Sequence, residues 1–287
     1  MLGGVSVTIF DLGAEPIIVP DLDEQTYHAH PALSSTGART LLRVAAKFDW
    51  DRTHPVHKDV FDLGSAVHTM VLGTGWPVDV HDFDNWQTKA ARAAKAESRA
   101  NGRVPLLRKD FEVVEAMAFS VLNDRRARRI FESDGLVEAS MFAEDPATGV
   151  PMRARPDFMT PIRMVDLKTA NDASDDGFAR SAADYGYATQ EWFYRRVRRI
   201  ITGEPDVDFL FVVVEKQPPY LVNVIELDAE FAQIGRSQVE RALRTYAECV
   251  ERYGDGPWPG YGNPDEPDEP NLIGPPGWLS YSEGMEL

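Results

Sequence analysis

In RPDFMTPIRMVDLKTA, residues 155–170, Asp157 follows a proline, and Asp166, Leu167 and Lys168 come nine residues later inside apolar, strand-like sequence. Strand side chains alternate between faces, so Asp166 and Lys168 share one. If Asp157 ends a neighbouring strand, both carboxylates reach one edge of a sheet. Converging carboxylates repel each other unless positive charge lies between them. A hard divalent cation, typically Mg²⁺, meets that need with oxygen ligands and several retained waters. A lysine beside it can orient a water or stabilise charge developing on a phosphate. The same residues also fit a plain surface pair on a strand and a Pro-Asp turn.

The surrounding sequence must supply that sheet. LSSTGARTLLRVAAKF predicts a helix capped by Ser34 or Ser35, with Leu41, Leu42, Ala45 and Phe48 on one side. Residues 59–73 predict a second helix, with Phe61, Ala66, Val67, Met70 and Val71 inward and Gly73 as its stop. A basic helical stripe over 86–100 carries Lys89 and Arg92, and a longer helix runs from about Arg108 to Phe131. The period then changes. VEASMFAED alternates like a half-buried strand, PATG turns the chain into VPMRARPDFM, and IRMVDLKTA follows, so 137–170 predicts a three-stranded meander. After an Asp- and Ser-rich loop, YGYATQEWFYRRVRRIITG reads as a helix with Phe193, Val197 and Ile200 inward and its arginines outward. Two strands around a Pro-Pro turn and a helix capped by Asp228 follow. From Gly254 on, Pro and Gly occupy 14 of 34 positions, which excludes regular structure and reads as disorder.

With 287 residues, 43% hydrophobic and 26% charged, the chain can bury a full core. No window approaches the roughly 18 apolar residues of a membrane span, and no Lys or Arg precedes Arg39, so neither export nor insertion is expected and the cytoplasm is. The lone Cys249 excludes a disulfide framework and an iron–sulfur cluster within one chain. No Gly-rich loop with Lys-Ser/Thr is present, so no ATP-driven motor is expected. The net charge of −16 argues against a polyanionic partner, but the charge is uneven: the last 34 residues hold seven acids and no Lys or Arg. A local basic groove stays compatible with it, as do solvated helix faces.

Pro156-Asp157 followed by Asp166-Leu167-Lys168 resembles the motif of the PD-(D/E)XK nuclease superfamily. The element order is similar to that fold's core, an α/β architecture with a central mixed sheet flanked by helices in α-β-β-β-α-β order, here with N-terminal helical decoration. GSAVHTMVLG looks like the segment in which RecB-like and RecE-like members supply a histidine to the metal, and His68 is the matching position. YGYATQEWFY looks like the Gln-x-x-x-Tyr motif of that branch, with Gln190 and Tyr194 on one helical face. VDLKTANDAS and HPALSSTGARTLL resemble RecE-type phage or prophage exonucleases, also called exonuclease VIII. The resemblance covers about His30 to Ile201. It sets a single nuclease domain over 1–253: an N-terminal segment and helix (1–58), a core (59–215) with a helical insertion (86–131), a C-terminal strand and helix (216–253), then the acidic tail 254–287.

The resemblance implies Mg²⁺-dependent 5′-to-3′ hydrolysis of linear double-stranded DNA, with Mn²⁺ as a substitute, leaving 3′ overhangs for phage-type recombination. His68, Asp157, Asp166 and the Leu167 carbonyl would hold one or two ions. Lys168 would position and activate the water, and Gln190 and Tyr194 would orient the strand or brace the site. Thr169, Arg153, Lys89 and Arg92 stand as DNA-contact candidates, and Arg155 as the receiver of a terminal 5′ phosphate through bidentate contacts. A RecT-like single-strand annealing protein is the implied partner, and a toroidal homo-oligomer, with a tetramer favoured, the implied source of processivity. The residues also fit an endonuclease or junction resolvase of the same superfamily, or a nucleic-acid-binding protein that does not cut.

Overall fold

The structure, a computed structural model, describes residues 15–54, 62–204, 207–262, 264–266 and 268–275. In chain order the N-terminal elements are β1 (Ile17–Val19), α1 (Glu24–Ala29), β2 (Leu33–Ser34), α2 (Ser35–Arg43), α3 (Ala45–Thr53) and α4 (Asp62–Leu72). Then come β3 (Val78–His81), α5 (Lys89–Ala100), β4 (Val104–Leu107), α6 (Arg108–Asn123), α7 (Arg125–Phe131), β5 (Leu136–Val137), β6 (Ser140–Glu144) and β7 (Pro151–Ala154). The remainder is β8 (Phe158–Thr160), β9 (Arg163–Ala170), α8 (Asp175–Tyr185), α9 (Tyr187–Thr202), β10 (Asp208–Glu215), β11 (Val222–Ile225) and α10 (Ala229–Tyr253).

Local chemistry explains most boundaries. The Ser34 hydroxyl accepts from the Gly37 amide and caps α2, and Asp228 caps α10 through the amides of Glu230 and Phe231. Gly73 ends α4 with φ of +73°, as its missing Cβ allows. Phe61 lies outside the described residues, but Ala66, Val67 and Val71 are buried as their spacing predicts. Two expected helices are broken. Val44 is extended between α2 and α3, and Asp124 leaves α6 to cap α7 through the amides of Arg126 and Ala127. The stretch 86–131 is also not wholly helical, because β4 pairs in parallel with β3. The Asp- and Ser-rich stretch after β9 is mostly the helix α8, capped by Ser174, rather than a loop.

The main difference from the sequence reading is the meander. The expected β6–β7 hairpin forms, but it belongs to a four-stranded sheet ordered β1-β6-β7-β2. β9 lies in a separate five-stranded mixed sheet ordered β11-β10-β9-β8-β5, where β9 and β10 run parallel. Arg155-Pro156-Asp157 carries the chain from one sheet to the other. β6 is buried at four successive residues instead of alternating, since β1 and β7 flank it and α9 covers it.

The five-stranded sheet is covered on both faces. Met164, Phe209, Phe211 and Val213 pack toward α9 and α10, whereas Val165, Leu167, Val212 and Val214 pack toward α4 and α6. This gives β9 and β10 the near-continuous apolar sequence of strands buried on two sides. The tail is not wholly free: Trp258 is buried against Phe48 and Tyr246, and the Pro259 carbonyl accepts from the Ala46 amide. Among the described residues no helix is long and apolar enough to cross a membrane.

Candidate active site

β8 pairs antiparallel with β9 through Phe158 opposite Val165. One step further along that register, Asp157 stands opposite Asp166. β8 begins one residue later, at Phe158, so the Leu167 amide has no strand partner on that edge. It donates to Asp157 Oδ2 at 2.6 Å instead. The carbonyl of a strand residue projects to the same edge as its amide, so the Leu167 oxygen points to the Asp157 side.

His68 approaches from α4. Its Nδ1–H donates to the Gly64 carbonyl at 2.8 Å, and Nε2 lies 3.1 Å from Asp157 Oδ2. Burial alone would lower the imidazole pKa, but the Asp157 charge and hydrogen bond raise it to about 9. Against the cost of its own burial, the Asp157 carboxyl is held below the usual range by His68 and Lys168.

Asp166 is buried. Gln190 Nε2 donates to its Oδ1 at 2.6 Å, and Lys168 Nζ lies 2.5 Å from Oδ2. Burial and the neighbouring Asp157 charge raise the Asp166 pKa, whereas the two carboxylates overcome desolvation and raise that of Lys168. Tyr194 is buried one turn beyond Gln190 on the same helical face, and burial raises the phenol. α9 thus braces Asp166 from behind. Thr169 lies on the opposite face, toward Gly64 of α4.

The remaining candidates stand elsewhere. Arg155 donates to Ser140 Oγ and to the Leu22 carbonyl and lies 4.2 Å over the Tyr27 ring, while Arg153 bonds the Tyr27 carbonyl and lies over the same ring. Both guanidiniums therefore hold the N-terminal segment, and a phosphate would have to compete with those acceptors. Lys89 and Arg92 are exposed on α5, which packs against β4 rather than against the carboxylates. The arginines of α9 do not simply face outward: Arg196 pairs with the fully buried Asp145, Arg195 with Glu191, and the buried Arg198 donates to the Pro161 carbonyl.

Three residues near the site escaped the sequence reading. Glu138, with φ of +48°, donates its amide to the Asp157 carbonyl, and its half-buried carboxyl is raised by burial and by Asp157. An acid opening an otherwise apolar strand was its signal. Tyr187 places its ring 4.9 Å from Lys168 Nζ. Arg39, in the SSTGART segment, lies within electrostatic reach of Asp166 and Tyr187.

The donor set fits a divalent cation: carboxylates on adjacent strands, a carbonyl at the same edge, and an imidazole whose Nδ1–H is anchored so that Nε2 carries the lone pair when the ring is neutral. Among the described residues no three His, Cys, Asp or Glu side chains form a ready-made metal cage. Two surface clefts, of about 580 and 560 Å³, lie elsewhere. One contains His81, Ser98 and Asp79, but Asp79 approaches Ser98 Oγ and His81 Nε2 rather than Nδ1, so it does not orient the imidazole as a hydrolase triad requires.

Asp157, the Asp166-Leu167-Lys168 triplet, the mixed sheet and its flanking helices together define the PD-(D/E)XK nuclease class, whose members generally work with divalent metals. Over residues 37–262 the chain matches, and belongs to, the family described as "PDDEXK-like domain of unknown function (DUF3799)". Its fold is similar to the crystal structure of a "Putative exonuclease" from Eubacterium rectale, with a TM-score of 0.57 and 16% identity over 92% of this chain and 99% of that one. No curated protein matches the sequence.

Proposed function

We propose that the protein is a Mg²⁺-dependent 5′-to-3′ exonuclease of the RecE type acting on linear double-stranded DNA. The observation that carries this reading is the juxtaposition of Asp157, just ahead of β8, with the Asp166-Leu167-Lys168 triplet of β9: Asp157 Oδ2 accepts from the Leu167 amide at 2.6 Å and lies 3.1 Å from His68 Nε2, and Lys168 Nζ is 2.5 Å from Asp166 Oδ2. Asp157, Asp166, the Leu167 carbonyl and His68 would hold Mg²⁺ or Mn²⁺. When bound, such an ion supplies positive charge to a phosphate and lowers the pKa of a water. Lys168 orients the attacking water and donates to it. Gln190 and Tyr194 keep Asp166 from turning away, and Glu138 and the Leu167 amide keep Asp157 at the sheet edge. The rest of the reading comes from the RecE resemblance: 3′ overhangs as product, a RecT-like annealing protein as partner, and a closed ring, with a tetramer favoured, around the DNA.

End-labelled linear duplex and a covalently closed circle test it, with wild type and Lys168→Ala, in Mg²⁺ and in EDTA. The expected result is mononucleotide release from 5′ ends, an intact circle, and no cleavage in EDTA or without Lys168. Cutting of the circle would replace the exonuclease by an endonuclease, and survival of linear DNA with folded protein in every condition would remove catalysis.

A further inference from the structure

Lys168 is not the end of the site. Its ammonium lies 4.9 Å from the Tyr187 ring centroid, and Tyr187 stacks at 5.5 Å on Phe178 and at 5.5 Å on Phe211, both buried. On the other side Tyr187 stacks with Tyr185, at 5.8 Å and 27° between ring planes. Aromatic rings therefore run from the core, past the lysine, to a ring that is 61% exposed. Exposure alone does not distinguish Tyr185, because Phe119 and Tyr261 are more exposed. Its connection through one ring to Lys168 does.

The backbone also holds Tyr185 in place. It ends α8, and Gly186, with φ of +68°, turns the chain directly into α9. Arg39 donates to the Tyr185 carbonyl, and Arg43 donates to that of Asp184. The two-helix junction thus presents a largely exposed ring beside Tyr187.

We propose that Tyr185 is a stacking platform for a nucleobase, forming a base subsite beside Lys168. The inference rests on the nuclease reading above and extends it. Every base offers a π-face, so such a platform holds a strand without selecting its sequence. Tyr185 is no farther from the Lys168 ammonium than the two measured separations laid end to end. A phosphate at Lys168 and its own or an adjacent base at Tyr185 then belong to one short stretch of strand.

Duplexes with 2-aminopurine at positions near the 5′ end, bound with Ca²⁺ in place of Mg²⁺, report stacking without turnover. Wild type, Tyr185→Phe and Tyr185→Trp should quench the probe at one position, and Tyr185→Ala should not. In steady state Tyr185→Ala should raise KM about 5- to 150-fold with kcat little changed, the range that loss of one base–aromatic stack implies. An abasic nucleotide at the quenched position should impose the same loss on wild type and none further on the variant. Tyr185→Leu, which keeps bulk without the ring, should behave as Tyr185→Ala, and serves in its place if the alanine protein melts early. Wild-type quenching and KM in the alanine and leucine proteins would overturn the subsite and leave the nuclease standing. A wild-type protein that neither binds nor cuts DNA would overturn both.

Discussion

The side-chain amide of Gln190 donates to Asp166 Oδ1 at 2.6 Å, joining the first half of α9 to the middle of β9. That bond fixes the direction in which the Asp166 carboxylate points. Partners that orient a metal ligand are typically worth about 10–100-fold in metal affinity or activity. Gln190→Ala should lower cleavage by that factor at limiting Mg²⁺ and recover as Mg²⁺ is raised, whereas Lys168→Ala should not recover. Titrating activity against Mg²⁺ for both variants separates the roles.

A second expectation concerns the contact that sets α9 in place. A Cβ on Gly235 of α10 would stand 2.2 Å from the Ala188 carbonyl oxygen, a clash with backbone that no rotamer relieves. Gly235→Ala should destabilise the fold by about 1–3 kcal/mol, despite alanine's better helix propensity. Because Ala188 lies between Tyr187 and Gln190, the displaced turn should also lower kcat in protein that is still folded. Thermal melting and kinetics on the same sample check both parts.

Asp145 and Arg196 should separate stability from catalysis. Asp145 is fully buried and accepts from Arg196 Nε at 2.6 Å and from the amide and hydroxyl of Thr148. Asp145→Ala strands a largely buried guanidinium and should cost about 3 kcal/mol in urea denaturation. DNA cleavage below the melting temperature should stay near wild type. A large loss of cleavage by folded Asp145→Ala would instead place Arg196 among the DNA contacts.

Trp258 tests the tail. Its ring is 4% exposed, packs against Phe48 and Tyr246, and lies under the Arg52 guanidinium at 5.1 Å. Trp258→Ala should cost about 3–5 kcal/mol, the range for deleting a buried aromatic, and should open the chain after Tyr253 to limited proteolysis. A change within about 0.5 kcal/mol, as at an ordinary surface position, would show that the ring is not anchored.

Much was legible in the sequence because it depends on neighbours in the chain. The alternation that puts Asp166 and Lys168 on one face, the four-residue step from Gln190 to Tyr194, the caps at Ser34 and Asp228 and the stop at Gly73 follow from local backbone geometry. The mixed α/β class follows from hydrophobic period, but VPMRARPDFM, which reads as one strand, is split between β7 and β8 in different sheets. Tertiary structure alone decided which strands share a sheet, because β7 and β8 are consecutive yet lie in different sheets, where β7 also pairs with the distant β2 and β8 with β5. It also decided the fate of each charge. Arg153 and Arg155 look like free cations until Tyr27, Leu22 and Ser140 are brought to them, and Arg196 looks like surface until Asp145 is buried beside it. The opposition of Asp157 to Asp166 depends on β8 beginning one residue after Asp157, which leaves the Leu167 amide for a carboxylate instead of a strand. Spacing along a chain sets which side chains can share a face, but only packing between distant segments sets what each polar group finds when water is removed.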